Sequence, residues 1–141
     1  MANDFRTFNL QLDGFARKVG VAAGTVQKRV AFDLFGRIVR RTPVDTGRAR
    51  GSWTIAVNQA DRAVLPPAPP RHKYPRPHVP VGITVKPGDT IWISNNLPYI
   101  TALEDGHSKQ TPPHAMVALS IEEVQAKYDT LAREGLKDAG L

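Results

Sequence analysis

Seven of the chain's twelve prolines fall within residues 66–80, PPAPPRHKYPRPHVP. Each proline lacks a backbone donor and has a fixed φ, so this stretch cannot run inside a sheet and favours extended, polyproline-like backbone. Apolar alternation resumes on both sides of it, which predicts a long projecting loop, or arm, between two strands. The core must then come from the elements that flank it. A chain of 141 residues is about one domain long and can bury roughly two-thirds of its unfolded surface. A single domain over residues 1–141 is expected.

Before the loop, Phe5, Phe8, Leu12, Phe15 and Val19 recur at spacings of three and four, the mark of an amphipathic helix. A second helix follows, with Thr25 as its expected cap and Val26, Val30, Ala31, Leu34, Phe35 and Ile38 as its apolar stripe. Pro43 disfavours helical backbone at Thr42 and should end this helix near Arg41. Trp53, Ile55 and Val57 alternate as a strand. After the loop, Val81, Ile83 and Val85 alternate, Lys86-Pro87-Gly88-Asp89 supplies a turn, and Ile91 and Ile93 alternate again. This reads as a hairpin. A short helix is expected around Tyr99, Ile100 and Leu103, ended by Gly106. A last helix of about five turns follows from Val117, Ile121, Val124, Tyr128 and Leu131. The order helix, helix, three or more antiparallel strands, helix predicts an α+β domain.

Cysteine is absent, so there are no disulfides and no thiolate metal sites. No apolar run reaches the roughly 18 residues of a membrane span, and MANDFRTFNLQL lacks the pattern of a signal peptide. The cytosol is the expected place of synthesis. The net charge of +6 is unevenly spread. Residues 1–50 carry ten Lys/Arg against four Asp/Glu, and residues 101–141 carry four against seven. Such asymmetry suits a nucleic-acid surface or a head-to-tail contact between copies of one chain.

Asp45-Thr46-Gly47 is the tripeptide that surrounds an aspartic-protease carboxylate. That chemistry needs two carboxylates sharing a proton in a dry turn. Here the tripeptide follows a basic helix, and Arg48 and Arg50 come directly after it, which opposes proton sharing. The expected role of Asp45 is a side-chain cap on the next few residues. His72, His78, His107 and His114 lie in loops without metal-ligand spacing. No cofactor signature or nucleophile triad stands out, so an enzyme is not expected. Arg71, His72, Lys73, Tyr74, Arg76 and His78 interleave basic and stackable side chains, a pattern suited to phosphates. A basic DNA-binding protein using the second helix and the proline-rich arm is therefore one open reading.

Two stretches together resemble a known family: RTPVDTGRARGSW (Arg41 to Trp53) and NNLPYITALEDGHSKQTPPHAMV (Asn95 to Val117). Their pattern and order are similar to the neck and tail-completion proteins of long-tailed bacteriophages, including the minor tail protein Z group of lambda-like phages. The family commonly has Ala-Pro-x-Gly-Met before its last helix, where this chain has Thr111-Pro112-Pro113-His114-Ala115-Met116. The proline-rich loop is not part of the resemblance. The resemblance implies a virion structural protein without catalysis or cofactor. It would form a homo-oligomeric ring, a hexamer, at the head-proximal end of the tail. There it would complete the tail and join it to the head connector. Its partners would be the connector or head-closure, tail terminator and tail tube proteins, with genomic DNA passing nearby.

On that basis Thr42, Pro43, Asp45, Thr46 and Gly47 are expected to set the turn from helix to strand, and Trp53 to anchor the strand in the core. Asn96, Pro98 and Tyr99 would form the partner turn. Glu104 would pair with Arg48 or Arg50. The loop cations Arg71, Lys73 and Arg76, with Tyr74, would form the projecting arm.

Overall fold

The computed structural model describes residues 23–69, 71–80, 82–106 and 113–140. The helix expected over residues 5–19 lies outside them. In chain order the elements are α1 (Ala23–Arg41), α2 (Arg48–Gly51), β1 (Thr54–Val57), β2 (Ile91–Ser94), α3 (Ile100–Asp105), α4 (Met116–Ala126) and α5 (Tyr128–Asp138). This is an α+β arrangement: helices packed with a small antiparallel sheet. Among the described residues, no helix is long and apolar enough to cross a membrane.

α1 is the central element, and its apolar stripe is the core. Val26, Val30 and Leu34 are fully buried, and Ala31, Phe35 and Ile38 nearly so. Thr25 lies inside the helix, which starts two residues before the cap read from the sequence. The other end falls where Pro43 requires it, at Arg41. α4 and α5 cover α1 and contribute Met116, Ile121, Val124, Leu131 and Ala132 to the same core. α5 approaches closely because Gly135 faces Val26, where a Cβ would stand 2.8 Å from the Val26 Cα. The expected single C-terminal helix is in fact two, separated at Lys127.

Among the described residues the sheet has two strands rather than three or more. β1 pairs antiparallel with β2 in the register Thr54↔Ser94 to Val57↔Ile91. Over residues 82–93 the hairpin read from Val81 to Ile93 does not form, although its turn does, and Val81 lies outside the described residues. Asp89 N–H donates to the Lys86 carbonyl at 3.0 Å, and Gly88 has the positive φ of 89° that favours glycine there. The chain before the turn is engaged by α1 instead of by a strand. Lys28 Nζ donates to the Ile83 carbonyl at 2.6 Å, and the Val85 backbone lies against Gly24, where a Cβ would be 1.7 Å from the carbonyl oxygen. Val85 is thereby buried in the core. Asn58, on the far side of β1, closes the ladder through its backbone N–H to Thr90 O at 2.6 Å and its side chain to Asp89.

Candidate functional site

The segment between α1 and β1 is a tight joint held by buried hydrogen bonds. The Thr42 hydroxyl donates to the Ile38 carbonyl at 2.8 Å, and Trp53 Nε1–H donates to the same hydroxyl oxygen at 2.8 Å. One buried oxygen thus ties the end of α1 to the indole that anchors β1. Trp53 is buried, as the sequence led us to expect. Gly47 takes a left-handed conformation, φ 88°, and opens the one-turn helix α2, which was not foreseen. The cap on this turn is not Asp45, which is exposed. The cap position is Gly47, and the side chain that braces the turn is Thr46, whose Oγ1 accepts from Arg48 N–H at 3.2 Å. The polar tripeptide is therefore a left-handed turn into a short helix. Asp45 lies at its surface.

The second stretch meets the first directly. Asn95 Nδ2 donates to the Ala49 carbonyl at 2.9 Å, while its Oδ1 accepts from Leu97 N–H at 3.2 Å and sets the turn before Pro98. The Arg48 guanidinium stands 5.9 Å from the Tyr99 ring centroid. Asn96, singled out from the sequence, points elsewhere: its amide donates to the Asp61 and Ala63 carbonyls at 2.8 and 3.2 Å. Asn95 is the bridge that sequence reading missed. Its signal was present, since an Asn two residues before an apolar residue and a proline is typical turn chemistry.

Glu104 is not the partner of Arg48 or Arg50. It is buried, and its two oxygens accept from Val117 N–H at 2.9 Å and Ala118 N–H at 3.0 Å. The reason lies at the start of α4. Ala115 occupies the cap position in a left-handed conformation and has no side chain able to cap. The unpaired amides of the first turn and the positive end of the helix dipole draw in a carboxylate from α3. Backbone bonds from His114 to Leu103 O and from Ala115 to Glu104 O complete the clasp.

The proline-rich loop projects less than expected, because its middle is pinned. Tyr74 is buried; its N–H donates to Thr46 O at 3.0 Å and its hydroxyl to Pro66 O. Arg48 Nε donates to Leu65 O at 2.9 Å. Gly51 makes room for this packing, since a Cβ there would meet the Pro75 carbonyl at 2.6 Å. Tyr74 is therefore an anchor and not an exposed stacking platform, with the His72 ring set edge-on at 4.6 Å. Arg71, Lys73 and Arg76 are exposed, as expected.

The arginines of α1, by contrast, are largely neutralised within the chain. Arg29 pairs with Glu134 at 2.7 Å, Arg37 with Asp33 at 2.6 Å, and Arg41 with Glu123 at 2.7 Å. These bonds hold the Glu123 carboxyl below its ordinary pKa, chiefly through the hydrogen bond from Arg41, and hold Arg29 and Arg37 above theirs. A groove of about 320 Å³ lies over Arg37, Arg40, Arg41 and Glu123, and its floor is already an ion-pair network. This disfavours α1 as a DNA-reading helix. Among the described residues, no group of three or more His, Asp or Glu side chains is placed to hold a metal ion. No protein-family model, curated protein or solved structure matches this chain.

Proposed function

We propose that this chain is a structural protein of a tailed-phage virion. It assembles as a homo-oligomeric ring at the head-proximal end of the tail, completes the tail and joins it to the head connector. The observation that supports this reading is the meeting of the two resembling stretches in one joint, through Asn95 with Ala49 and Arg48 with Tyr99. Apolar side chains remain on the outside of that joint. Val44 is 53% exposed and Tyr99 40%, and Val64, next to the carbonyls held by Asn96, is 47% exposed. A ring needs one patch to dock on a different patch of the next copy, and such a rim supplies apolar area for it.

Charge complementarity between copies contributes less than the composition suggests. Four of the seven carboxylates in residues 101–141, namely Glu104, Glu123, Glu134 and Asp138, are bonded within the chain. Oligomerisation through the joint's rim is the form of the proposal that follows. Deleting the gene from the producing phage tests it. Filled heads and finished tails should accumulate unjoined in negative-stain micrographs, and expression from a plasmid should restore joined particles. Normal yields of joined particles from the deletion would overturn it.

A further inference from the structure

We propose that the pinned loop and the joint beneath it form a cationic face that binds the phosphate backbone of duplex DNA. This assigns a binding surface and a ligand class, and it stands independently of the virion reading.

The first argument is where the uncompensated charge lies. Of the four arginines on α1, Arg29, Arg37 and Arg41 have carboxylate partners, and Arg40 forms no ion pair among the described residues. Arg48, Arg50, Arg71, Lys73 and Arg76 form no ion pair among the described residues. Arg50 Nε is moreover buried, with no hydrogen-bond partner among those residues. Against Asp45, the exposed carboxylate of the joint, these five cations leave an excess of positive charge on the loop and joint. With most C-terminal carboxylates bonded internally, another copy of this chain is a poor source of the missing negative charge. A polyphosphate backbone supplies it at regular spacing.

The second argument is that the cations are held in place. Tyr74 fixes the loop to Thr46 and Pro66, Arg48 Nε holds the Leu65 carbonyl, and the Asn96 amide holds Asp61 and Ala63. Arg71, Lys73 and Arg76 lie within three residues of the Tyr74 anchor, and all are exposed. Pinned, proline-rich backbone loses little entropy on binding, so contacts to phosphates keep more of their free energy. Phosphate contacts carry no sequence information, so binding should be indifferent to base sequence.

The test is fluorescence anisotropy with a labelled random-sequence duplex of about 30 base pairs, from about 50 to 200 mM salt. Two charge-matched triple variants are compared. One is Arg71→Ala/Lys73→Ala/Arg76→Ala; the other is Lys127→Ala/Arg133→Ala/Lys137→Ala, which removes exposed cations from α5 and its start. Wild type should bind with a steep salt dependence. The loop triple should lose at least about tenfold in affinity, its log–log salt slope should fall by about 2.7, and each single change should carry about a third of that. The helix triple should stay within about threefold. Because the three loop side chains are exposed, the loop triple should melt like wild type. No binding at the lowest salt, or equal loss from both triples, would overturn the proposal. Competition by polyglutamate as effective as by unlabelled duplex would also overturn it, and would reassign the face to an acidic protein. Duplex binding by a chain absent from particles would sink the virion reading alone; presence in particles without duplex binding would sink this one alone.

Discussion

Glu104 and Val117 are 13 residues apart and are joined by a 2.9 Å hydrogen bond from the Val117 amide to the Glu104 carboxylate. With the second oxygen on the Ala118 amide, α3 caps α4 across a connection that contributes no capping side chain of its own. Replacing Glu104 by Ala leaves first-turn amides without their acceptor at a buried position. The expected cost is about 1–3 kcal/mol, a fall in Tm of about 3–10 °C. Glu104→Gln keeps the shape and one acceptor and should cost less. If instead Arg48→Ala/Arg50→Ala shifted the melt of wild type but not of Glu104→Ala, the cap would be the wrong account of Glu104.

Thr42 and Trp53 give a second, independent stability test. Thr42→Val retains the shape and removes the oxygen that accepts from the Trp53 indole N–H. A buried donor left without a partner costs about 1–3 kcal/mol. Thr42→Ser keeps the oxygen and should cost much less. Denaturant unfolding followed by Trp fluorescence distinguishes the two; equal midpoints for both variants would contradict the assignment.

Gly135 should not tolerate a methyl group. Alanine normally gains about 1 kcal/mol over glycine inside a helix. Here the added Cβ would stand 2.8 Å from the Val26 Cα, a backbone atom that cannot swing aside. Overpacking of this kind typically costs about 1–3 kcal/mol, so the net effect of Gly135→Ala should be a lower midpoint. A higher midpoint would mean that α1 and α5 separate more easily than their packing implies.

Stability should also have an acid limb set by Glu123. Arg41, helped by Arg37, lowers the Glu123 pKa below its ordinary 4.5 in the folded chain. A carboxyl with a depressed folded-state pKa stabilises above its unfolded value, and the contribution is lost as pH falls through the folded value. The Tm gap between wild type and Glu123→Gln should therefore be present at neutral pH and close as the pH falls below about 4.5. Added salt should narrow it, since the carboxylate is solvent-facing. A gap that is constant with pH would rule the linkage out.

What the sequence made legible follows from how local each signal is. The stripe of α1 and its stop before Pro43 rest on period and proline sterics within one element, and both were readable. The Asp45 cap failed because either of two neighbouring polar side chains could bond the turn, and the Glu104 pairing failed because it matched a carboxylate to the nearest arginines in the expected layout. The fold instead placed Thr46 on the turn and brought Glu104 to a helix start that lacked a cap. The Ile83 arm of the hairpin failed because alternation cannot show that Lys28 will take a backbone carbonyl from it. Tyr74 was read as exposed because its neighbours are charged; a single aromatic amid prolines and arginines was also the natural residue to pin the loop.

The most direct test of the central claim is the copy number of this chain in purified particles, measured by quantitative mass spectrometry against the major tail protein. The account predicts a small, fixed number of copies per particle, as a single ring requires, retained through density-gradient purification. Its absence from intact, infectious particles would contradict the account.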